Sequence, residues 1–139
     1  FERLSRYRWC VNKGNRNTTY YAVRGTKVGG KYTRIFMHRE IMNAPANMFV
    51  DHNNHDTLDN RKANLRICTQ RQNLLNKFRK RTGTSRFKGV TLFKKNGKWV
   101  AHFMKKHLGY FDNETDAARA YNEAALKYDP RFSMLNEIL

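Results

Sequence analysis

The chain has 139 residues, room for one ordinary domain or two small ones. A net charge of +17 and a pI near 10.3 point to a polyanion as partner, through phosphate neutralisation and counterion release. No apolar run nears the roughly 18 residues of a spanning helix, and no signal-peptide pattern opens the chain. A membrane-spanning segment and secretion are thereby set aside, and a cytoplasmic chain with a polyanionic partner is expected.

Residues 1–47 read as a small β-rich module. Tyr7-Arg8-Trp9-Cys10-Val11 and Tyr20-Tyr21-Ala22-Val23-Arg24 are aromatic and β-branched runs on either side of a Gly/Asn loop, Gly14 to Asn17. Gly29-Gly30 marks a second turn before a strand from Tyr32 to Phe36. Met37 to Met42 reads as one or two helical turns that end before Pro45. His38 has two readings, a catalytic or phosphate-contacting imidazole or a hydrogen-bonded scaffold residue between the sheet and its helix, and the scaffold reading is preferred. Cys10 and Cys68 lack zinc spacing and read as free thiols in a reducing compartment, packed as small buried hydrophobes.

Residues 48–77 carry the chemistry. The run Met48-Phe49-Val50 ends in an acid–imidazole pair, Asp51-His52. An Asn- and Asp-rich loop follows, whose side chains favour turns by bonding their own backbone. Within it, His55, Asp56 and Asp59-Asn60 read as loop, cap and turn residues. A second strand, Leu65-Arg66-Ile67-Cys68, leads to Thr69 and Gln72, a capping box that should open a helix through Asn73, Leu74, Leu75 and Lys77. Strand, loop, strand and helix bearing a carboxylate, an imidazole and carboxamides describe a hard-metal site on a small frame.

Residues 78–85 form a basic linker. Its Arg79, Lys80 and Arg81 are expected to track phosphates before the chain passes into Gly, Thr and Ser. Residues 86–139 form a second unit with three strands, Phe87–Phe93, Lys98–Met104 and His107–Phe111. Asn96-Gly97 supplies the first turn and Lys105-Lys106 the second. Asn113 should cap a helix with Glu114 and Asp116 in its first turn. On that helix Ala117, Ala118, Tyr121, Ala124, Ala125 and Tyr128 share one face, and Asp129-Pro130 stops it. A two-residue period turns Trp99, Ala101 and Phe103 toward the helix and Val100, His102 and Met104 outward. Trp99 and Tyr121 read as core.

Two resemblances fit these residues. Asp51-His52, with Asn64 twelve residues after His52 and Asn73 nine further on, resembles the HNH motif of homing endonucleases, in the variant whose last ligand is Asn. That likeness implies a ββα-metal fold. It assigns His52 as general base, Asn64 as brace of the loop and of the imidazole, and Asp51 with Asn73 as ligands of one Mg²⁺ or Mn²⁺ per active site. Tyr-Arg-Trp, Tyr-Ala-Val-Arg and Met-His-Arg in residues 1–47 resemble the usual lead-in of such nucleases, which begin with a further segment, so residues upstream of Phe1 are expected.

Phe-Lys-Gly-Val (87–90), Gly-Lys-Trp-Val-Ala (97–101), Leu-Gly-Tyr-Phe (108–111) and Asp-Ala-Ala-Arg-Ala-Tyr-Asn (116–122) resemble the AP-two DNA-binding domain of plant ethylene-response factors. The likeness implies that the sheet enters the major groove. Its contact positions would fall on Lys88, Thr91, Phe93, Lys95, His102, Met104, Lys105 and His107. No Arg stands there, so guanidinium readout of guanine gives way to point charge on phosphate.

The expected whole is an α+β chain: an HNH module at 1–77, a linker at 78–85 and a sheet-plus-helix reader at 86–139. It would act as a monomer that nicks one DNA strand, in the manner of homing nucleases of phage and bacterial mobile elements. A catalytically inactive DNA-binding regulator on the same frame is the alternative. An RNA-binding module is a third option, although neither unit shows the aromatic signatures of RNA readers.

Overall fold

The structure is a computed structural model that describes residues 2–14, 19–77 and 83–138. The chain divides into two compact units, Phe1–Asn73 and Leu74–Leu139. Among the described residues no helix is long and apolar enough to cross a membrane. The architecture is mixed, with small antiparallel sheets and few helices.

The first unit opens with a single helical turn, α1 (Glu2–Ser5), and a sheet of order β1 (Cys10–Lys13), β2 (Tyr20–Val28), β3 (Lys31–Phe36). Gly29 and Gly30 take φ of +54° and +79°. These are the conformations that a two-residue hairpin turn requires and that glycine adopts without steric cost. The first strand starts at Cys10, later than the aromatic run suggested. Tyr7 and Trp9 instead flank the Arg24 guanidinium, which stands 3.9 Å from the centroid of the Tyr7 ring.

Helix α2 (Met37–Met42) follows β3 directly and ends at Asn43, whose φ of 47° is left-handed, a conformation asparagine tolerates. The Arg39 guanidinium holds the next loop, donating to the carbonyls of Met48 and Pro45 at 2.7 Å each and of Ala44 at 3.2 Å. On the neighbouring residue Glu40 pairs with Arg24 at 3.0 Å. Helix α2 packs on β2, β3 and the two-stranded sheet that comes next, β4 (Phe49–His52) with β5 (Leu65–Cys68). That hairpin places Asp51 opposite Arg66 and His52 opposite Leu65.

Helix α3 (Gln70–Leu75) starts as its capping box dictates. The Thr69 amide donates to Gln72 Oε1 at 3.0 Å, and the Gln72 amide donates to Thr69 Oγ1 at 3.2 Å. It ends at Leu75, short of Lys77, and the division between the two units falls within it. Of the two cysteines Cys68 is buried, but Cys10 is exposed on β1, contrary to its expected burial. A short strand on one edge of its sheet leaves that side chain uncovered.

The second unit is a sheet of order β6 (Val90–Phe93), β7 (Lys98–Phe103), β8 (Lys106–Phe111), with helix α4 (Glu114–Tyr128) packed on it. Phe87, Val90, Ala101, Ala117 and Ala118 form its core, with Trp99, Leu108 and Phe111 against them. The Asn113 side chain caps α4 by accepting from the Asp116 amide at 2.9 Å. The small alanines let the helix lie close to the sheet. Tyr121 is buried beside Phe103, ring centroids 5.6 Å apart.

Three expectations for this unit change. The first strand begins only at Val90, because Gly89 sits in a left-handed conformation just before it. The second turn is Met104-Lys105, both at positive φ, so Lys106 belongs to β8. Val100, expected to face outward in the open, is buried. As a residue of the central strand it lies between its partners Thr91 and Tyr110.

Candidate active site

Asp51 and His52 close β4 side by side, and both are buried, at 7% and 5% exposure. The antiparallel register sets Arg66 across from Asp51. Its Nε (2.9 Å) and one terminal nitrogen (2.7 Å) both reach Asp51 Oδ2. A guanidinium fork on a nearly dry carboxylate is a strong, orienting contact. Nearby, burial pushes the Cys68 thiol up to about 11, with the Asp51 charge adding to the effect.

Asn60 Oδ1 lies 3.3 Å from His52 Nε2. The amide has a fixed sense, because Asn60 Nδ2 donates to the Leu58 carbonyl at 3.1 Å. An oxygen facing the ring accepts from an N–H at Nε2. Asn64 is expected to brace the loop and to orient the imidazole; its hydrogen bonds lie within the loop. Its Oδ1 accepts from the Asn54 amide (3.0 Å), its Nδ2 donates to the Asp59 carbonyl (2.9 Å), and its own carbonyl accepts from the Asn53 amide (2.9 Å). Asp59 is bound in turn by Arg61, whose hydrogen bonds hold its carboxyl well below the usual carboxylate range.

Asn73 stands on α3, its amide bonded to the Thr69 carbonyl. Among the described residues no group of three or more His, Cys, Asp or Glu could hold a metal ion. Asp51 offers a carboxylate and Asn73 a carboxamide, both oxygen donors. That set suits a hard cation such as Mg²⁺, which takes one or two protein oxygens and completes its shell with water and phosphate.

His38, assigned to the scaffold in the sequence, lies at this site. Its ring is 5.1 Å from that of His52. Periodicity does not signal this, because the approach depends on how α2 packs over β4.

On the second unit, Thr91, Phe93, Lys95, His102, Met104, Lys105 and His107 are all exposed. Ring contacts tie four aromatic or imidazole groups into a stripe: Phe93 to Tyr110 at 5.7 Å, Tyr110 to His107 at 4.9 Å, and His107 to His102 at 5.4 Å. Tyr110 is 52% exposed and had not been singled out. Lys88 does not join this face. Its ammonium donates to the carbonyls of Leu75 and Lys77, and burial lowers it to about 8. Asn136 holds the Lys88 backbone from both sides, accepting from its amide and donating to its carbonyl. Arg79, Lys80 and Arg81 lie outside the described residues.

Comparison with known proteins falls on the same elements. Residues 43–75, which include Asp51, His52, Asn64 and Asn73, match the HNH endonuclease family. The first unit carries an HNH endonuclease domain. On that domain the protein is a DNA nuclease. An uncharacterized HNH endonuclease of Acanthamoeba polyphaga mimivirus is 28% identical over 97% of this chain and 70% of its own length. An APETALA2-like protein of rice, Oryza sativa subsp. indica, is 45% identical over 60 residues. That match covers 39% of this chain and 14% of the rice protein. An AP2-like ethylene-responsive transcription factor of Arabidopsis thaliana is 38% identical over 52 residues, 34% of this chain and 11% of its own length. No solved structure matches the chain.

Proposed function

We propose that the HNH domain hydrolyses a phosphodiester bond of double-stranded DNA with a divalent metal, nicking one strand, and that the second unit positions it on the target. The observation that carries this reading is the buried Asp51-His52 pair at the end of β4, with the imidazole held in one sense by Asn60. Hydrolysis near neutral pH needs a base for the attacking water, and a neutral imidazole is suited to it.

In this scheme His52 accepts the proton of the water at Nδ1, while Nε2–H stays on Asn60. Asn64 keeps the loop closed, so that the imidazole does not swing away from the phosphate. Asp51 and Asn73 would hold the cation, Mg²⁺ or Mn²⁺. Its chemistry there is to neutralise the phosphate and stabilise the departing 3′ oxygen. Arg66 keeps Asp51 aimed. The products are a 5′-phosphate and a 3′-hydroxyl.

Supercoiled plasmid tests the reading. With Mg²⁺ it should pass to the nicked circle before any linear form, and EDTA should stop the conversion. End labelling should find 5′-phosphates. Binding without any cutting, in either Mg²⁺ or Mn²⁺, would leave the inactive-regulator reading.

The exposed sheet face of the second unit supports the positioning role, with Lys95 and Lys105 offering charge beside the Phe93, Tyr110, His107 and His102 stripe. Arg79, Lys80 and Arg81 belong to the same proposal as phosphate contacts. Lys95→Gln with Lys105→Gln should weaken DNA binding and flatten its salt dependence, the slope of log K against log salt falling by about one per lost phosphate contact. Lys88→Gln should leave that slope unchanged and lower the melting temperature instead, since its ammonium serves main-chain carbonyls. Binding titrations between low and moderate salt, beside thermal melts, separate the two.

A further inference from the structure

His52 has a second imidazole against it. His38 on α2 is 8% exposed, and its ring meets that of His52 at 5.1 Å and 74°, an edge-on contact. Tyr21 and Phe36, each with its ring centroid 5.5 Å away, complete the surroundings. Tyr21 and Phe36 themselves meet edge to face at 5.7 Å. Four rings from β2, β3, α2 and β4 thus form one wall beside the site.

The Nδ1 of His38 is buried and has no hydrogen-bond partner among the described residues. A buried nitrogen left unbonded is unfavourable, and each such group in a folded protein calls for an explanation. Packing alone does not supply one, because a phenylalanine would fill the same space among the same rings with no polar atom to strand. Charge does not supply one either. Burial, then His52, then Arg39 push His38 down to about 4, so the ring is neutral near pH 7. What remains is a neutral, polar, buried ring pressed on the proposed base.

We propose that His38 is a positioning residue for hydrolysis: its ring fixes the plane of the His52 imidazole, and its Nδ1 is kept for a hydrogen bond made when DNA is bound. This rests on His52 acting as the base. It adds a residue from outside the motif's intervals, carried by a different helix.

The test compares His38→Phe and His38→Asn with the parent. Phenylalanine keeps the ring and removes Nδ1, while the asparagine carboxamide places a polar atom close to where Nδ1 stood. His38→Phe should melt at or above the parent temperature. Its kcat should fall roughly ten- to hundredfold, the scale of a misplaced catalytic group, with KM for DNA and Mn²⁺ affinity unchanged. His38→Asn should recover part of the lost kcat. A kcat for His38→Phe within about twofold of the parent overturns the proposal. So does a loss in both variants that follows melting temperature and raises KM, since that marks a scaffold residue.

A second readout needs no turnover. In protein labelled with ¹⁵N histidine and bound to DNA, the His52 ring nitrogens should shift in His38→Phe at fixed pH, and unchanged shifts overturn the proposal. A parent that binds DNA but never cuts it removes the nuclease reading instead. The nitrogen shifts then still decide whether His38 sets the neighbouring ring.

Discussion

His52→Ala should lower the rate of plasmid nicking by about 10²–10⁴-fold, the usual contribution of a positioned acid–base group. Among the described residues no obvious substitute stands at that position. His38 is adjacent, but burial keeps its proton affinity low. Asp51 is engaged by the Arg66 guanidinium. Affinity for DNA should hardly change, because the basic, exposed residues of the second unit's sheet face are untouched. The fold should also survive. His52 ends a four-residue strand whose ladder is made by the main chain opposite Leu65. The measurement is single-turnover nicking under saturating Mg²⁺, with gel-shift affinity measured on the same preparation. If parent and variant cut at one rate, His52 is not the base.

What the sequence disclosed about this site was its local grammar. Asp51-His52 at a strand end, the capping box of Thr69 and Gln72, the Asn113 cap and the Asn96-Gly97 turn each depend on residues within a few positions of one another. Each can be read without knowing the tertiary fold. The partner of the His52 ring could not be read that way. Between residues 53 and 64 lie several Asn and Asp of equal claim, and only the folded loop selects Asn60 for the ring and Asn64 for the lashings.

Arg66 was legible in part, since an antiparallel hairpin of the right register sets it opposite Asp51, but register depends on how the loop closes. His38 was hidden for a deeper reason. Its meeting with His52 is set by the packing of α2 across two sheets, a contact with no signature in periodicity. Lys88 misled in the opposite direction. A lysine in a basic, DNA-reading context suggests a phosphate contact, yet carbonyl groups at the end of α3 draw its ammonium inward. Val100 shows the limit of the two-residue period. That period gives the face of a strand correctly, but not whether neighbouring side chains cover that face.

Gly89→Ala should unfold most of the second unit, and the reason is visible in two separate costs. The residue has φ of +75°, where an L side chain costs about 1–2 kcal/mol. A Cβ there would also stand 2.2 Å from the Tyr121 ring and 2.5 Å from the His102 carbonyl oxygen. Neither neighbour yields easily. Tyr121 is packed in the core at 4% exposure, and the His102 amide bonds back to the Gly89 carbonyl at 2.7 Å. Overpacking of this kind adds about 1–3 kcal/mol.

A small domain has only some 0.05–0.15 kcal/mol of stability per residue, so the two costs together take most of what a unit of this size holds. In melting experiments the transition of this unit should drop by roughly 10–30 °C or vanish, and DNA affinity should fall with it. Gly97→Ala is the control. That turn has a similar φ of +70° with nothing within 4 Å of the added carbon, so it should lose only the conformational part. Equal melting temperatures for the two variants would mean that α4 does not lie as close to the sheet as Gly89 requires. The alanine-lined helix would then have to sit further out.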